Sequence, residues 1–181
     1  MKNGLLDLRT YLQNKNITYY DILPKHIYFD EKIRSYCKDN KCREYAKNYM
    51  CPPYVGEVKE NEKILKSFKN GFIILVNEKI NYQKNRDKYI KLCNKLHNIM
   101  LDTEKEAYNL GYKSFKTYIG GSCKLCTPCK INLKEKCKYP NKAKTSMEAI
   151  GIDVIKSCKN IGLDIKFIDN KITLIGLIMF K

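Results

Sequence analysis

The sequence contains few arginines, although it is strongly basic. Lysine and arginine total 35 against 19 acidic residues, a formal net charge of +16. Only Arg9, Arg34, Arg43 and Arg86 are arginines. A large positive charge is typical of proteins that bind nucleic acid, but such proteins use arginine to hold phosphate and guanine through two hydrogen bonds. The composition therefore indicates a solvated, lysine-rich surface and argues against a nucleic-acid partner.

Long hydrophobic runs are also lacking. The longest apolar stretch, Ile172 to Phe180, is far shorter than the roughly 20 residues that a membrane-spanning helix needs. No apolar segment follows the basic start of the chain, where Asp7 and Arg9 interrupt the first turns, so no signal peptide is expected. These absences predict a soluble cytoplasmic protein with no membrane partner.

Cysteine, in contrast, is abundant, with nine residues. Cytosolic thiols stay reduced, so clustered cysteines in such a chain predict metal binding rather than disulfides. Seven of them form two groups, spaced C-x4-C-x8-C and C-x2-C-x2-C-x7-C, and proline follows each group. The first group is Cys37, Cys42 and Cys51, and the second is Cys123, Cys126, Cys129 and Cys137.

The spacing of the second group favours an iron–sulfur cluster. Three cysteines two residues apart let a short loop wrap three corners of a 4Fe–4S cubane, and a more distant cysteine completes the fourth. Zinc, the alternative metal, more often uses two separated C-x2-C pairs. Seven lysines between residues 124 and 144, against Glu135 alone, would stabilise the negative charge of a cluster.

The first group supplies only three thiolates. One iron of a cubane held there would have no protein thiolate and could bind a substrate or take a fourth ligand from Cys93, Cys158, His26 or His97. Alternatively, Cys137 could complete the first group, or both groups could form one site. If they are not ligands, Cys93 and Cys158 are expected to be buried apolar residues and His97 a surface residue.

Hydrophobic periodicity predicts an α+β fold in a single domain, residues 1–181, with a mixed or antiparallel sheet, long helices and two irregular cysteine-rich loops. The helices are predicted over residues 3–15, 57–69, 85–110 and 145–160, the last from a Thr-x-x-Glu capping box. The strands are predicted over residues 72–76 and 114–119 and in a closing hairpin that pairs 163–168 with 172–180.

Three segments carry motifs that occur together in one protein family. They are Cys37–Gly56, which ends in CPPYVG; Gly120–Pro140, which begins with GGSCKLC; and Ser146–Val154, SMEAIGIDV. In this order they resemble the signatures of a cysteine-rich family of predicted metal-binding proteins, found chiefly in anaerobic bacteria and archaea and of unknown function. The resemblance implies a metal held by the seven cysteines and supplies neither a substrate nor a reaction.

The leading hypothesis is an iron–sulfur protein with one or two 4Fe–4S clusters. It would carry electrons or support reduction together with an acidic redox partner, which a basic surface attracts. One alternative is an enzyme that uses an open iron site on a three-cysteine cluster, although the sequence has no C-x3-C-x2-C, G-x-G-x-x-G or H-E-x-x-H motif. Another is a zinc-stabilised module whose 14 tyrosines stack on single-stranded nucleic acid.

Overall fold

A four-stranded antiparallel sheet forms the centre of the fold in the computed structural model, which describes residues 4–39 and 42–181. The strands, in the spatial order β1-β2-β4-β3, are β1 (Thr18–Ile22), β2 (Asn70–Lys79), β3 (Phe115–Tyr118) and β4 (Lys171–Phe180). The helices are α1 (Gly4–Asn14), α2 (Glu31–Lys38), α3 (Val58–Lys66), α4 (Arg86–Asn109) and α5 (Val154–Lys159). Helices around an antiparallel sheet confirm the predicted α+β class.

Both faces of the sheet are buried. Successive side chains of a strand point to opposite faces, so Phe72 packs on the side of α1 and α4, while Ile73 packs on the side of α3 and α5. This is why β2 is apolar throughout residues 72–76 and β4 throughout residues 174–180. Helix α4 lies close to β4 at Gly176, where a Cβ atom would come within 2.6 Å of the Met100 sulfur.

The predicted closing hairpin is wrong. Within the described chain, residues 163–168 form no strand, and only Ile168 bridges to Lys171. Strand β4 instead pairs along its whole length with β2 and, through its last residues, with β3. A strand buried on both faces is best placed between two neighbours, whereas the preceding segment is mostly solvated and leaves Phe167 88% exposed.

The helix predicted over residues 145–160 is wrong in its first half. One 3-10 turn, Glu148–Ile150, is followed by Gly151, whose φ of +88° reverses the chain before α5 begins. The residue that caps α5 is Asp153, whose carboxylate accepts the backbone N–H of Lys156 at 2.9 Å. A glycine in the left-handed region stops a helix because residues with a Cβ atom are strained there.

The other predicted helices and strands are confirmed close to their predicted ends. The strand predicted over 72–76 is longer than expected, because all ten residues of β2 pair with β4. None of the helices in the described part of the chain has both the length and the hydrophobicity to cross a bilayer.

Candidate metal centre

The first cysteine group begins on a helix rather than in an irregular loop, which corrects the prediction from sequence. Cys37 lies in the last turn of α2, while Cys42 and Cys51 lie in the turns that follow. Helix α2 forms here because the Asp30 carboxylate caps it, accepting the backbone N–H of Lys32 at 2.8 Å. The helix therefore gives one of the three thiols a fixed point of attachment.

The three thiols of the first group interact electrostatically. Burial raises the pKa of the Cys51 thiol to about 12, and the negative charges of Glu44, Cys42 and Cys37 act in the same direction. Burial also raises the pKa of Cys37, with further contributions from Cys42 and Glu148. The structure thus brings these three cysteines into one neighbourhood, where a cation would favour their thiolate forms.

The four cysteines of the second group line a single small cavity. Its volume of about 10 Å³ is roughly the room that one water molecule needs. Residues 48–50, which belong to the first cysteine loop, close the cavity together with Tyr139. Cys137 therefore lies with the other three members of the second group and not among the neighbours of the first.

Two backbone N–H groups, those of Leu125 and Lys144, hydrogen-bond to the Cys123 sulfur. Burial raises the pKa of the Cys123 thiol, and the two hydrogen bonds oppose this because they stabilise the thiolate. Hydrogen bonds to sulfur also set the potential of iron–sulfur clusters. The surroundings of Cys123 therefore fit a metal-bound thiolate.

Side-chain hydrogen bonds join the two cysteine loops. Asn48 Nδ2 donates to the carbonyl oxygen of Cys123 and to Glu44 Oε2, both at 3.1 Å. Lys124 Nζ forms an ion pair with Glu44 Oε1 at 2.6 Å. Two further bonds run from the Tyr49 hydroxyl to the Glu135 carbonyl and from Asn132 Nδ2 to the Lys47 carbonyl, each 2.8 Å long. The two groups are therefore held as neighbouring parts of one region.

The Glu44–Lys124 ion pair lies between the two groups, and sequence reasoning missed it. Burial opposes ionisation of Glu44, but hydrogen bonds from Lys124, Asn48 and Ser122 outweigh burial and hold its pKa below the usual value. The positive charge of Lys124 also acts to lower the pKa of Cys51. The one signal in the sequence was the position of this lysine between two clustered cysteines.

Glu148 places a buried carboxyl group beside the first group. It lines the same groove as Cys37 and Cys42. The Ser146 hydroxyl hydrogen-bonds to this carboxyl group, whereas Glu148 Oε2 is buried and has no hydrogen-bond partner within the described residues. Burial raises the pKa of Glu148. Buried carboxyl groups in such surroundings are concentrated at functional sites.

The two remaining cysteines lie in the hydrophobic cores, as predicted. Cys158 is fully buried, and burial raises the pKa of its thiol to about 11. Cys93 is 5% exposed and accepts a hydrogen bond from the Tyr89 hydroxyl. The prediction that His97 lies at the surface is wrong, since it is only 2% exposed on the core side of α4.

His97 anchors the segment that follows the second group. Its Nε2 lies 2.7 Å from the carbonyl oxygen of Lys142, and the Lys144–Glu104 ion pair lies beside it. Burial lowers the pKa of His97 and the charge of Lys144 lowers it further, against the opposing effects of the Lys142 carbonyl and Glu104. The net decrease means that the folded chain favours neutral His97, which donates its Nε2 proton to the carbonyl.

We expect His97 to make the fold sensitive to acid. As pH falls below the ordinary histidine pKa of 6.5, the unfolded chain gains a proton that the folded chain does not. The free energy of unfolding then falls by up to about 1.4 kcal/mol per pH unit until the folded pKa is reached. The test is the His97→Gln variant, whose side-chain amide can donate to the same carbonyl. In thermal melts between pH 7.5 and 5.5, its melting temperature should decrease less steeply than that of the wild-type protein. Equal pH slopes in both proteins would contradict this role.

The thiols of each group share a neighbourhood without forming a coordination sphere. Among residues 4–39 and 42–181, no group of three or more His, Cys, Asp or Glu side chains is arranged to hold a metal ion. Binding of a single metal ion therefore requires these side chains to move, and six of the seven cysteines lie outside the helices and strands, where small displacements are easier than in the sheet. Seven clustered thiols, two of them buried, are a donor set suited to zinc or iron–sulfur clusters.

The chain matches a known family over most of its length. No curated protein and no solved structure matches it. Residues 20–180 match the family described as predicted metal-binding protein (DUF2284), and this range contains both cysteine groups and Glu148. The resemblance inferred from the three motifs is thereby confirmed: the chain belongs to this family of predicted metal-binding proteins.

Proposed function

We propose that the chain is an iron–sulfur protein in which each cysteine group holds a 4Fe–4S cluster. The observation that carries the proposal is that the four cysteines of the second group surround one common space, which would have to widen to hold a cubane, and that the first three have the C-x2-C-x2-C spacing of cluster-binding loops. A bound cluster of this kind supplies one-electron transfer at low potential.

The residues around the second group support this function in three ways. The backbone N–H groups of Leu125 and Lys144 would stabilise the Cys123 thiolate. The positive charge of Lys124 would offset the negative charge of an anionic cluster. Finally, Asn48, with a side chain only 3% exposed, closes the space between the two loops and limits access of water.

The surface around the second group fits an acidic redox partner, which is part of the same proposal. Several lysines of the second cysteine loop and the segment after it are exposed, so their charges remain available to a partner. Complementary charge accelerates association in a manner that salt weakens. These exposed lysines are Lys134, Lys136, Lys138 and Lys142.

Metal analysis of protein purified without oxygen tests the proposal. We expect a brown protein with broad visible absorption that bleaches on reduction, and about eight irons per chain if both groups hold cubanes. The matched control is the same protein prepared in air, which should lose colour and iron as the clusters oxidise. A colourless anaerobic protein with stoichiometric zinc would overturn the proposal and favour the zinc-stabilised module.

A groove beside the first group favours a second candidate function, an enzyme that binds its substrate there. The groove has a volume of about 460 Å³, within the range of small-molecule sites. Cys37, Cys42 and Glu148 line it together with mainly apolar side chains, among them Ile155 and Phe167. Adding a small iron ligand such as cyanide to the anaerobic sample, after its clusters have been reduced with dithionite, distinguishes the two functions. A changed electron paramagnetic resonance spectrum supports the enzyme, and an unchanged spectrum supports electron transfer alone.

A further inference from the structure

We infer that Glu148 is the fourth protein ligand of the metal centre formed by Cys37, Cys42 and Cys51. The inference rests on the proposed function and adds to it a ligand of different chemistry, since a carboxylate oxygen would accompany three thiolates. The cysteine spacing does not point to this residue, and the third family motif, Ser146–Val154, contains it without assigning it a role.

The fold brings Glu148 to the first group from a distant part of the sequence. Helix α2 packs against the 3-10 turn Glu148–Ile150, and Cys37 lies in the last turn of that helix. The charge of Glu148 contributes to raising the pKa of the Cys37 thiol. Both side chains, together with Cys42, line the groove.

One oxygen of the Glu148 carboxyl group is without a hydrogen-bond partner in the part of the chain that the structure describes. The Ser146 hydroxyl hydrogen-bonds to the carboxyl group and so orients it, but Oε2 is buried with no hydrogen-bond partner in the described part of the chain. Buried polar atoms are almost always paired, and an unpaired one is destabilising. A metal cation bound by the neighbouring thiolates would provide the missing partner.

The other residues that the sequence offered as a fourth ligand are engaged elsewhere. Cys158 is in the core between the sheet and α5, and Cys93 is hydrogen-bonded to a tyrosine. His97 is bonded to a backbone carbonyl, and His26 Nδ1 accepts a backbone N–H at 3.3 Å. Cys137 lines the cavity of the second group. Glu148 lines the groove with Cys37 and Cys42 and carries an oxygen that has no hydrogen-bond partner among residues 4–39 and 42–181.

A carboxylate in this position has a consequence for the groove. Oxygen is a harder ligand than thiolate and binds soft metal–sulfur centres less firmly. The bond from the metal to Glu148 is therefore the one that a small molecule entering the groove would displace. Without such a molecule Glu148 would occupy this coordination position of the metal, and when the molecule binds it would take the position of Glu148.

The test uses a chain in which only the first centre can form. Cys126→Ala/Cys129→Ala removes two ligands of the second group and serves as the background. Glu148→Gln, Glu148→Asp and the control Glu31→Gln are added to it separately. Glu31 is an exposed carboxylate at the start of α2, so its replacement makes the same charge change without altering the groove. Each chain is loaded anaerobically with equal amounts of ferric and ferrous iron and with sulfide, and is then analysed for bound iron and, after reduction with dithionite, by electron paramagnetic resonance.

A ligand role and a packing role predict opposite orders of iron retention. If Glu148 is a ligand, the amount of iron retained decreases from the background with Glu148 to the Asp variant and then to the Gln variant, because Asp keeps a carboxylate whereas Gln does not. We expect Gln to weaken iron binding by at least about tenfold, Asp to retain iron with a shifted electron paramagnetic resonance spectrum, and Glu31→Gln to match the background. If Glu148 only fills space, Gln is the milder change, because it has nearly the shape of Glu.

Three results would count against the inference or its basis. Glu148→Gln with the iron content and spectrum of the background would overturn the ligand role while leaving the proposed function intact. If Glu148→Asp retained less iron than Glu148→Gln, this result would also overturn the ligand role and leave the proposed function intact. A wild-type chain that takes up no iron at all would overturn the proposed function itself. The circular dichroism spectrum of each metal-free variant should match that of the background, which separates loss of a ligand from loss of the fold.

Discussion

Cys126→Ala is expected to remove about half of the iron of the anaerobically loaded protein, about four of eight irons per chain, and Cys42→Ala the other half. The reason is that the two groups are separate in the structure. The second lines its own cavity, while the thiol neighbours of Cys51 are Cys42 and Cys37. Iron and acid-labile sulfide analysis of each variant measures the effect directly.

The matched control for both variants is Cys158→Ala. It removes a cysteine that is fully buried in the core and belongs to neither group, so the iron content should stay at the wild-type value. If Cys126→Ala and Cys42→Ala each removed all of the iron, the two groups would form one combined site. Loss of iron from Cys158→Ala alone would show that the ligands had been assigned to the wrong cysteines.

Asn48→Ala is expected to lower the free energy of unfolding of the loaded protein by about 3 kcal/mol and to weaken iron binding at both groups. The Asn48 side chain is 3% exposed and makes three hydrogen bonds: it donates to Cys123 and Glu44 and accepts the backbone N–H of Met50. Its removal leaves buried polar groups without partners on both loops. Anaerobic urea denaturation and iron analysis measure the two effects.

Asn132→Ala is the matched control, because Asn132 also joins the two loops but lies at the surface. Its Nδ2 donates to the carbonyl oxygens of Lys47 and Cys129, which water can satisfy once the side chain is gone. We expect a loss of about 1 kcal/mol or less and an unchanged iron content. If the two variants were equally destabilised, burial of Asn48 would not be the cause.

The elements with strong local patterns could be predicted from the sequence. Helix α4 repeats apolar residues on one face over its whole length and ends at a glycine, so its pattern has no competing interpretation. The apolar runs of β2 and β4 are likewise longer than those of a solvent-exposed loop, so they predict buried strands. The order of the strands could not be predicted, because it depends on pairings such as Ile74 with Gly176, far apart in the sequence.

The cysteine groups could be predicted because their spacing matches that of metal-binding loops. The residue that joins the two loops, Asn48, and the inferred fourth ligand, Glu148, could not be predicted. Asn48 reaches Cys123 across 75 positions of sequence, and no local pattern marks either end of that bond. Glu148 lies in a recognisable sequence pattern, Thr-x-x-Glu, but this pattern fits the start of a helix as well as it fits a functional carboxyl group. Only the turn at Gly151, which stops the helix from forming, leaves this carboxyl group beside the cysteines of α2.

The position of β4 has a consequence for how the protein is made. This strand joins β2 to β3, yet it follows both cysteine groups in the chain, so all seven cysteines have been synthesised before β4 begins. At about 5–20 residues per second, the delay lasts a few seconds. Until β4 has been added, the thiols that have left the ribosome have no finished scaffold around them and are open both to iron delivery and to oxidation.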